Sequence, residues 1–333
     1  MDSIGRRKFL GRGLLASGAA IGLQSFEERH LVAHAEVPGA APAAPSGSQI
    51  PKGKIAGMEV SRVICGGNLI GGWAHSRDLM YVSPLVKAYH TDEKVFETLR
   101  LAEGRGINML LGNPSADRVI NDYWKKAGGK IQWISDCALR GDVIAGVNRS
   151  LDGGAAMLYV QGGIADMLVR DGKIDEIDNA LQVIRKAKKP AGIGAHSLDT
   201  IKECVAAGLE PDFWMKTLHR DDYWSATPKE NRAEFDEVSG NKPEHGKHHD
   251  NMWCTDAPGT VEFMKGLKAP WIAFKTLAAG AIHPKRAFQW AFENGADFIC
   301  VGMFDFQLQE NCDIALNAFA AVQKAGRPRE WMG

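Results

Sequence analysis

The sequence predicts an α/β fold, a closed (β/α)8 barrel of eight parallel strands that are each followed by a helix. Short apolar segments alternate with amphipathic ones along most of the chain, which is typical of repeated strand–helix units. Eight such segments suit a barrel, and one barrel of about 250 residues accounts for most of a 333-residue chain. The predicted strands are 62–66, 107–111, 131–135, 156–160, 192–195, 213–217, 271–276 and 297–302.

The segments between these strands carry helix patterns. In 173–188, apolar residues recur at helical spacing behind a charged face, and 92–104 follows Thr91, a good N-cap. The competing fold is an open doubly wound sheet, which usually carries G-x-G-x-x-G after its first strand. Residues 64–68 are Ile-Cys-Gly-Gly-Asn and do not match, so we favour the closed barrel.

The first 35 residues have the pattern of a twin-arginine export signal. Arg6 and Arg7 precede the uncharged run 13–26 and then Ala-His-Ala at 33–35, which predicts cleavage before Glu36. We therefore expect Tat translocase as a transient partner, a periplasmic location and no stable membrane insertion after cleavage. The alternative is that the leader is retained as a membrane anchor. The predicted organisation is leader 1–35, flexible linker 36–50 and barrel 51–333.

Charge and cysteine content narrow the class of partner. Forty basic and forty acidic residues cancel, so nothing favours nucleic acid, and we expect a small-molecule substrate. The six cysteines contain no Cys-x-x-Cys pair, and we interpret most of them as buried apolar residues. Cys254 is the exception, because it lies in a polar segment rich in histidine.

Polar residues end most of the predicted strands, on the side where barrels of this kind place their active sites. His196 ends the fifth strand and His219 follows the sixth, so the two imidazoles could converge on one metal ion. Alternatively, each histidine bonds a backbone carbonyl in the barrel wall. His75, after the first strand, and Asp136, after the third, are candidate general bases.

The segment 220–257 is long for a barrel loop, which is typical of functional or disordered segments. Its cluster HGKHHDNMWC could supply further metal ligands, and we select His249 and Cys254 because they flank Trp253. A solvated polar loop is the alternative interpretation.

Two lysines lie in otherwise apolar strand segments. Lys216 and Lys275 could each stabilise developing negative charge or form a Schiff base, because a buried ammonium is costly unless it has a role. Alternatively, each forms a structural ion pair with Asp136 or Asp305.

Three segments resemble the aldo-keto reductases: GINMLLGN at 106–113, PAGIGAHS at 190–197 and the run 271–280. The similarity extends over most of residues 56–325 and implies an eight-stranded α/β barrel of that type. It also implies a catalytic aspartate, tyrosine, lysine and histidine that protonate a carbonyl while NADPH delivers hydride.

This chain departs from the family at all four positions. Leu111 stands where the aspartate belongs, and no tyrosine follows within the expected few residues. The Asp136–Cys137 region replaces the lysine, and Gln161 replaces the histidine. The segment 301–311 also lacks the basic residue near a serine that would hold a 2′-phosphate. We therefore expect different chemistry and no NADP.

The leading hypothesis is an exported enzyme that uses a divalent transition metal, Zn, Fe or Cu, on a small polar organic or sugar-derived substrate. Carbonyl polarisation, water activation and oxidative chemistry are the options. One alternative is an aldo-keto-reductase-like oxidoreductase with a bound nicotinamide or flavin. The other is a non-catalytic periplasmic protein that binds a sugar or a metal.

Overall fold

The computed structural model describes residues 47–68, 70–73, 79, 81–139, 142–232 and 252–333. The predicted leader 1–35 and most of the predicted linker lie outside the described residues. Ile50, near the end of that linker, is buried and donates its N–H to the carbonyl of Arg105. Contacts with the barrel therefore begin before residue 51.

The predicted barrel is confirmed. Eight parallel strands close into one sheet, in which each strand pairs with its neighbours in the chain and the last strand pairs with the first. These strands are β3 Val63–Gly66, β4 Met109–Gly112, β5 Gln132–Ser135, β6 Met157–Val160, β7 Ala191–Ala195, β8 Phe213–Thr217, β9 Trp271–Phe274 and β10 Phe298–Val301.

Helices cover the outside of the barrel, as the alternating pattern predicts. They are α1 Val82–Tyr89, α2 Asp92–Gly104, α3 Asp117–Ala127, α4 Val143–Asp152, α5 Gly162–Arg170, α6 Ile174–Lys186, α7 Leu198–Ala206, α8 Ala257–Lys265, α9 Pro284–Glu293 and α10 Asp305–Ala325. The described connections include the 3-10 helices Pro114–Ala116 and Lys229–Asn231. The Thr91 side chain accepts from the N–H of Lys94, so the predicted cap of α2 is present.

An antiparallel hairpin closes the N-terminal end of the barrel, and the sequence analysis did not predict it. Strands β1 Lys52–Ile55 and β2 Met58–Ser61 pair just before β3 begins. Ile55 and Val60 are fully buried and pack against the side chains that fill the barrel. The hairpin therefore covers this end of the barrel interior.

The residues after α10 fix the same N-terminal end. Asp297 is fully buried and forms ion pairs with Arg327 and Arg329. Arg62, at the start of β3, donates to the carbonyls of Asp297 and Met332. This polar cluster joins the end of the chain to the base of the barrel.

Within the described part of the chain, no helix has both the length and the apolar character needed to cross a membrane.

Candidate active site

Three neighbouring strands direct polar side chains toward the open C-terminal end, here called the mouth. Along a strand successive side chains point to opposite faces, so a residue two positions after an inward one also faces inward. Ile134 and Tyr159 pack in the barrel interior, which places Asp136 and Gln161 at the mouth after β5 and β6. The same alternation places His196 there after β7.

His196 is held by a carboxylate that lies behind it. Its Nδ1 lies 2.9 Å from Oδ2 of Asp166 in α5, and Asp166 has no exposed surface. Asp166 also accepts from the backbone N–H groups of His196 and Ser197 and from the hydroxyl of Thr200. An ionised carboxylate can only accept, so Nδ1 of His196 carries the proton and Nε2 keeps its lone pair.

Burial sets the charge of this histidine. Removal of the imidazole from water lowers the pKa of His196, the bond to Asp166 raises it in part, and the charges of Lys275 and Lys216 lower it further. The net direction is downward, so the imidazole is neutral at neutral pH. A neutral imidazole with an available Nε2 is a competent general base.

Glycine makes the position of His196 possible. A Cβ at Gly162 would lie 3.1 Å from Cε1 and 3.2 Å from Nδ1 of the imidazole. The ring of Phe274 also packs on the imidazole, with its centroid 5.4 Å from that of His196. The imidazole is therefore in contact with both the first turn of α5 and the end of β9.

Asp136 is a second titratable group at the mouth. Its carboxyl is largely removed from water, which raises the pKa of Asp136 to about 6, although the N–H of Ala138 donates to it. Cys137, the next residue, has a left-handed backbone with φ 53°. Such conformations are uncommon outside glycine and are enriched at functional sites.

His219 does not converge with His196 on an open coordination site in this structure. Its Nδ1 donates to the carbonyl of Arg220 at 2.8 Å. Its Nε2 accepts from the backbone N–H groups of Trp253 and Cys254, both at 3.0 Å. Both nitrogens are thus engaged by backbone, which corresponds to the alternative interpretation of this residue. Burial lowers the pKa of His219 to about 4, which keeps it neutral in this role.

His219 and Cys254 do lie together, but the hydrogen bond between them is made by the backbone N–H of Cys254. The Cys254 side chain is buried and its Sγ lies 3.8 Å from Oγ1 of Thr260 in α8. The expectation that Cys254 differs from the other cysteines is therefore corrected, because all six are buried and free.

Across the described ranges, no group of three or more His, Cys, Asp and Glu side chains could hold a metal ion. His75 and His249 lie outside the described residues.

Lys216, one of the two lysines expected to stabilise negative charge, lies on the helix side of the barrel wall. In the ladders it pairs with Ala195 and Ala273, which pack in the outer core, whereas the adjacent Met215 packs in the interior. Its Nζ contacts the carbonyl and hydroxyl oxygens of Thr217 at 3.1 Å and 2.7 Å. The charge of Lys216 lowers the pKa of His196.

Lys275 lies at the mouth, directly after Phe274. Its backbone is left-handed, with φ 61°, and its Nζ lies 4.1 Å from the ring centroid of Trp253. This cation–π contact fixes the direction of the ammonium, which is partly exposed.

The N-terminus of α10, after the eighth barrel strand, already holds a carboxylate. Asp305 accepts from the hydroxyl of Tyr89 at 2.5 Å and forms an ion pair with Lys94 at 3.0 Å. Barrels of this architecture frequently place a phosphate in the loops after strands 7 and 8. In this barrel the first residue of α10, which follows the eighth strand, is Asp305, and its charge is paired with Lys94.

Asp166 is the residue of the candidate site that could not be selected from the sequence. It lies in GGIADMLVR, where an ionisable residue among apolar ones is the available signal, because buried carboxylates are rare unless paired. Its partner, however, is 30 positions away in the sequence.

Comparisons with known proteins support the fold. No family model and no curated protein match the chain. Among solved structures, a Pseudomonas aeruginosa protein provisionally described as an aldo-keto reductase covers 82% of this chain and 97% of its own, with a TM-score of 0.55 at 15% identity. A second crystal structure, with the same provisional description and from the same organism, has a TM-score of 0.54 at 13% identity. It covers the same shares of the two chains. A crystal structure of (S)-mandelate dehydrogenase, a monotopic membrane protein, covers 86% of this chain and 83% of its own. Its TM-score is only 0.46, at 10% identity. The chain therefore has an aldo-keto-reductase-like (β/α)8 barrel.

Proposed function

We propose that this barrel is an enzyme in which His196 acts as a general base on a small polar molecule bound at the mouth. The observation that carries the proposal is the bond from Nδ1 of His196 to the fully buried Asp166. That bond fixes the tautomer and directs the basic Nε2 away from the carboxylate. A fold alone does not imply this function, so the proposal rests on these side chains.

The environment of His196 suits proton abstraction. Burial keeps the imidazole neutral, and Asp166 stabilises the imidazolium that forms when Nε2 takes a proton. A positioned acid or base of this kind contributes about 10²–10⁴-fold to a rate.

Asp136 supplies the complementary acid. With a pKa of about 6, part of its population is protonated near neutral pH and can deliver a proton to an oxygen. Burial raises the pKa of Asp136 and lowers that of His196, so the carboxyl holds its proton more readily, and the imidazole less readily, than either group would in water.

The reaction class that these groups support is proton transfer at a carbon next to a carbonyl or carboxylate. The C–H bond breaks, its proton moves to Nε2 of His196, and the electron pair moves onto the adjacent oxygen. Return of the proton to the same or a neighbouring carbon completes an exchange or isomerisation, with no external oxidant or reductant.

Solvent deuterium exchange tests this proposal without knowledge of the physiological substrate. Folded protein is incubated in D2O with a panel of hydroxy acids, keto acids and sugars, and loss of the C–H signals is followed by proton NMR. We expect exchange with wild type and a loss of about 10²-fold or more in His196→Gln. His283→Asn is the matched control, because His283 only caps α9. Exchange that persists in folded His196→Gln would refute the proposal.

A metal-dependent enzyme is the second candidate function. A carboxylate that fixes the tautomer of a histidine is also the common support of a metal-binding imidazole, and His196–Asp166 has this form. His196 is the one predicted ligand in the described part of the chain whose metal-binding nitrogen is not engaged by backbone. Elemental analysis of the exported protein tests this candidate: it fails if wild type and His196→Ala carry equally little Zn, Fe or Cu.

The remaining alternatives have their own tests. A reductase with a bound flavin or nicotinamide would show visible or near-ultraviolet absorbance after purification. A binding protein would retain ligand affinity without turnover.

We also propose export by the twin-arginine route to the periplasm. Replacement of Arg6 and Arg7 by lysine should block this export, which a cell-fractionation assay would measure.

A further inference from the structure

The helix α1 does not carry the charged outer face that a surface helix normally has. Its exposed residues are Pro84, Leu85, Lys87 and Ala88, and Tyr81, the residue before the helix, is exposed as well. Lys87 is the one charged residue in α1. Helices on the surface of a globular protein usually place charged and polar residues on the outer face. The outer face of α1 is instead largely apolar.

Two aromatic side chains extend this apolar surface on different sides of the helix. Nζ of Lys87 lies 5.8 Å from the ring centroid of Trp73. The ring of Tyr89 contacts that of Phe306 in α10, with centroids 6.5 Å apart. Lys87 and Tyr89 are two residues apart, which is about 200° around a helix. Trp73 and Phe306 therefore lie on different sides of α1.

Hydrogen bonds hold these elements together. Oγ of Ser83 donates to the carbonyl of Gly72 at 2.5 Å, which fixes the loop that carries Trp73 to α1. The hydroxyl of Tyr89 donates to Asp305, the first residue of α10. The loop, α1 and the start of α10 therefore form one surface, and a preorganised surface loses less conformational entropy when it binds a partner.

We call this surface the α1 face and define it by Trp73, Tyr81, Leu85 and Phe306. These residues are 59%, 64%, 61% and 69% exposed, the four largest values among the bulky apolar side chains of the described residues. A fully buried aromatic side chain covers about 150–250 Å², so four large side chains exposed to this extent present on the order of 500 Å². An apolar patch of this size is large for a monomer and is often an interaction site.

The area of the α1 face matches the apolar part of a protein–protein interface. A stable interface of standard size covers about 800 Å² on each partner, and about 57% of that area is apolar. The α1 face supplies that apolar share by itself. Three of its four defining side chains are Trp, Tyr and Phe, which are enriched at interfaces. A folded protein partner therefore fits this face.

The charges at the edges of the α1 face favour a second copy of the chain as that partner. Lys87 lies at the Trp73 edge, and Glu310 follows Phe306 by one turn of α10. Both are exposed, and neither forms an ion pair in the part of the chain that the structure describes. A two-fold axis at α1 places the Trp73 edge of each copy against the Phe306 edge of the other. Lys87 of each copy then meets Glu310 of the other, whereas an anionic lipid surface would repel Glu310.

We propose that this chain forms a two-fold symmetric dimer through the α1 face. Tyr81 and Leu85 pack near the axis, and the edge charges set the register of the two copies. Because α1 follows the first barrel strand and α10 follows the eighth, the interface borders the mouth of each barrel. This inference is independent of the chemistry proposed for His196.

Sedimentation velocity of the purified protein at about 1–100 µM tests the inference, because self-association depends on concentration. We expect wild type to have the mass of two chains. Leu85→Glu places like charges near the axis, and Phe306→Glu places them at the edges, so each should weaken dimerisation by about 100-fold or more. Val205→Glu is the matched control and should stay dimeric, because Val205 is an exposed apolar residue of α7, across the barrel from α1. Each variant is first shown to fold by its melting temperature.

Reversal of the edge charges tests the two-fold register. Lys87→Glu and Glu310→Lys should each weaken dimerisation by about threefold to tenfold, because each creates a like-charge pair at two symmetric places. The double variant restores opposite charges and should associate as wild type does. Losses that simply add in the double variant would overturn the proposed pairing of the two copies.

Two further results would overturn the dimer itself. One is a wild-type protein that is monomeric at every concentration. The other is a dimer that both Leu85→Glu and Phe306→Glu leave intact. Co-sedimentation with vesicles of phosphatidylcholine and phosphatidylglycerol tests the rival occupant: binding of monomeric wild type that Leu85→Glu abolishes would assign the α1 face to a lipid surface instead.

Discussion

Nδ1 of His196 donates to Oδ2 of Asp166 across 2.9 Å, and this bond joins the end of β7 to the adjacent helix α5. Asp166→Asn tests its role, because an amide can donate to Nδ1 and so favour the opposite tautomer. We expect activity to fall by about 10²-fold or more while the fold is retained. Deuterium-exchange rates of the variant measure this effect, and an unchanged rate would exclude a positioning role for Asp166.

Gly162→Ala should displace the imidazole. The added Cβ would lie 3.1 Å from Cε1 of His196, closer than most real contacts, so the ring must shift by a few tenths of an ångström. We expect kcat to fall by about tenfold, because catalysis is sensitive to small misplacements, with little change in KM. Gly104→Ala is the control, because a Cβ there meets nothing within 4 Å. Equal kcat in both variants would contradict the account of a confined base.

Asp136→Asn should stabilise the protein in a pH-dependent manner. Burial raises the pKa of Asp136 to about 6, so the folded state carries an unfavourable charge above that pH and none at low pH. The variant should exceed wild type in unfolding free energy by an amount on the order of 3 kcal/mol at pH 8. The difference should vanish below about pH 3, under both the unfolded and the folded pKa. Denaturant unfolding at several pH values measures it, and a difference independent of pH would argue against a buried, proton-binding Asp136.

Wild type should lose stability at acid pH because of His219, whereas Asp136 lowers its stability at high pH. Its pKa is lowered to about 4, so as pH falls below about 6.5 the unfolded state binds a proton that the folded state does not. Wild type should lose this contribution between about pH 6.5 and 4. His219→Gln lacks the titrating group, so its deficit in unfolding free energy at pH 7.5 should narrow at pH 4.5. A constant deficit would indicate that His219 is not buried in the neutral form.

Asp297→Asn should destabilise the fold without a direct effect on the mouth. Asp297 is fully buried and pairs with Arg327 and Arg329, so its removal leaves two buried guanidinium groups without their charge partner. We expect a loss of about 3–5 kcal/mol in unfolding free energy. Below the melting temperature, deuterium-exchange activity per folded molecule should be unchanged. A loss of less than about 1 kcal/mol would contradict the structural role of this cluster.

The barrel was predictable from sequence because its signal is local. Each strand of a parallel barrel is buried on both faces and appears as a short apolar run, so all eight predicted segments coincide with observed strands to within a few residues. The hairpin at the base was missed because Lys52–Ile55 and Met58–Ser61 are short and largely polar on one face.

The site was only partly predictable, because it depends on which face of a strand each side chain occupies and on partners that are distant in the sequence. His196 and Asp136 were selected as candidates from their places at strand ends. Lys216 was offered as a catalytic residue, although its alternation with Met215 places it on the helix side of the strand. Asp166 could not be paired with His196 from the sequence, because their contact depends on how α5 packs against β7.

The central claim is that His196 presents an unprotonated Nε2 at the mouth while Nδ1 donates to Asp166. Long-range ¹H–¹⁵N NMR of protein labelled with ¹⁵N-histidine, with His196 assigned through His196→Gln, tests this most directly. At pH 7.5 we expect a protonated Nδ1, a Nε2 shift typical of a free lone pair, and no imidazolium until the pH is below about 6.5. A protonated Nε2, or an imidazolium at pH 7.5, would contradict the account.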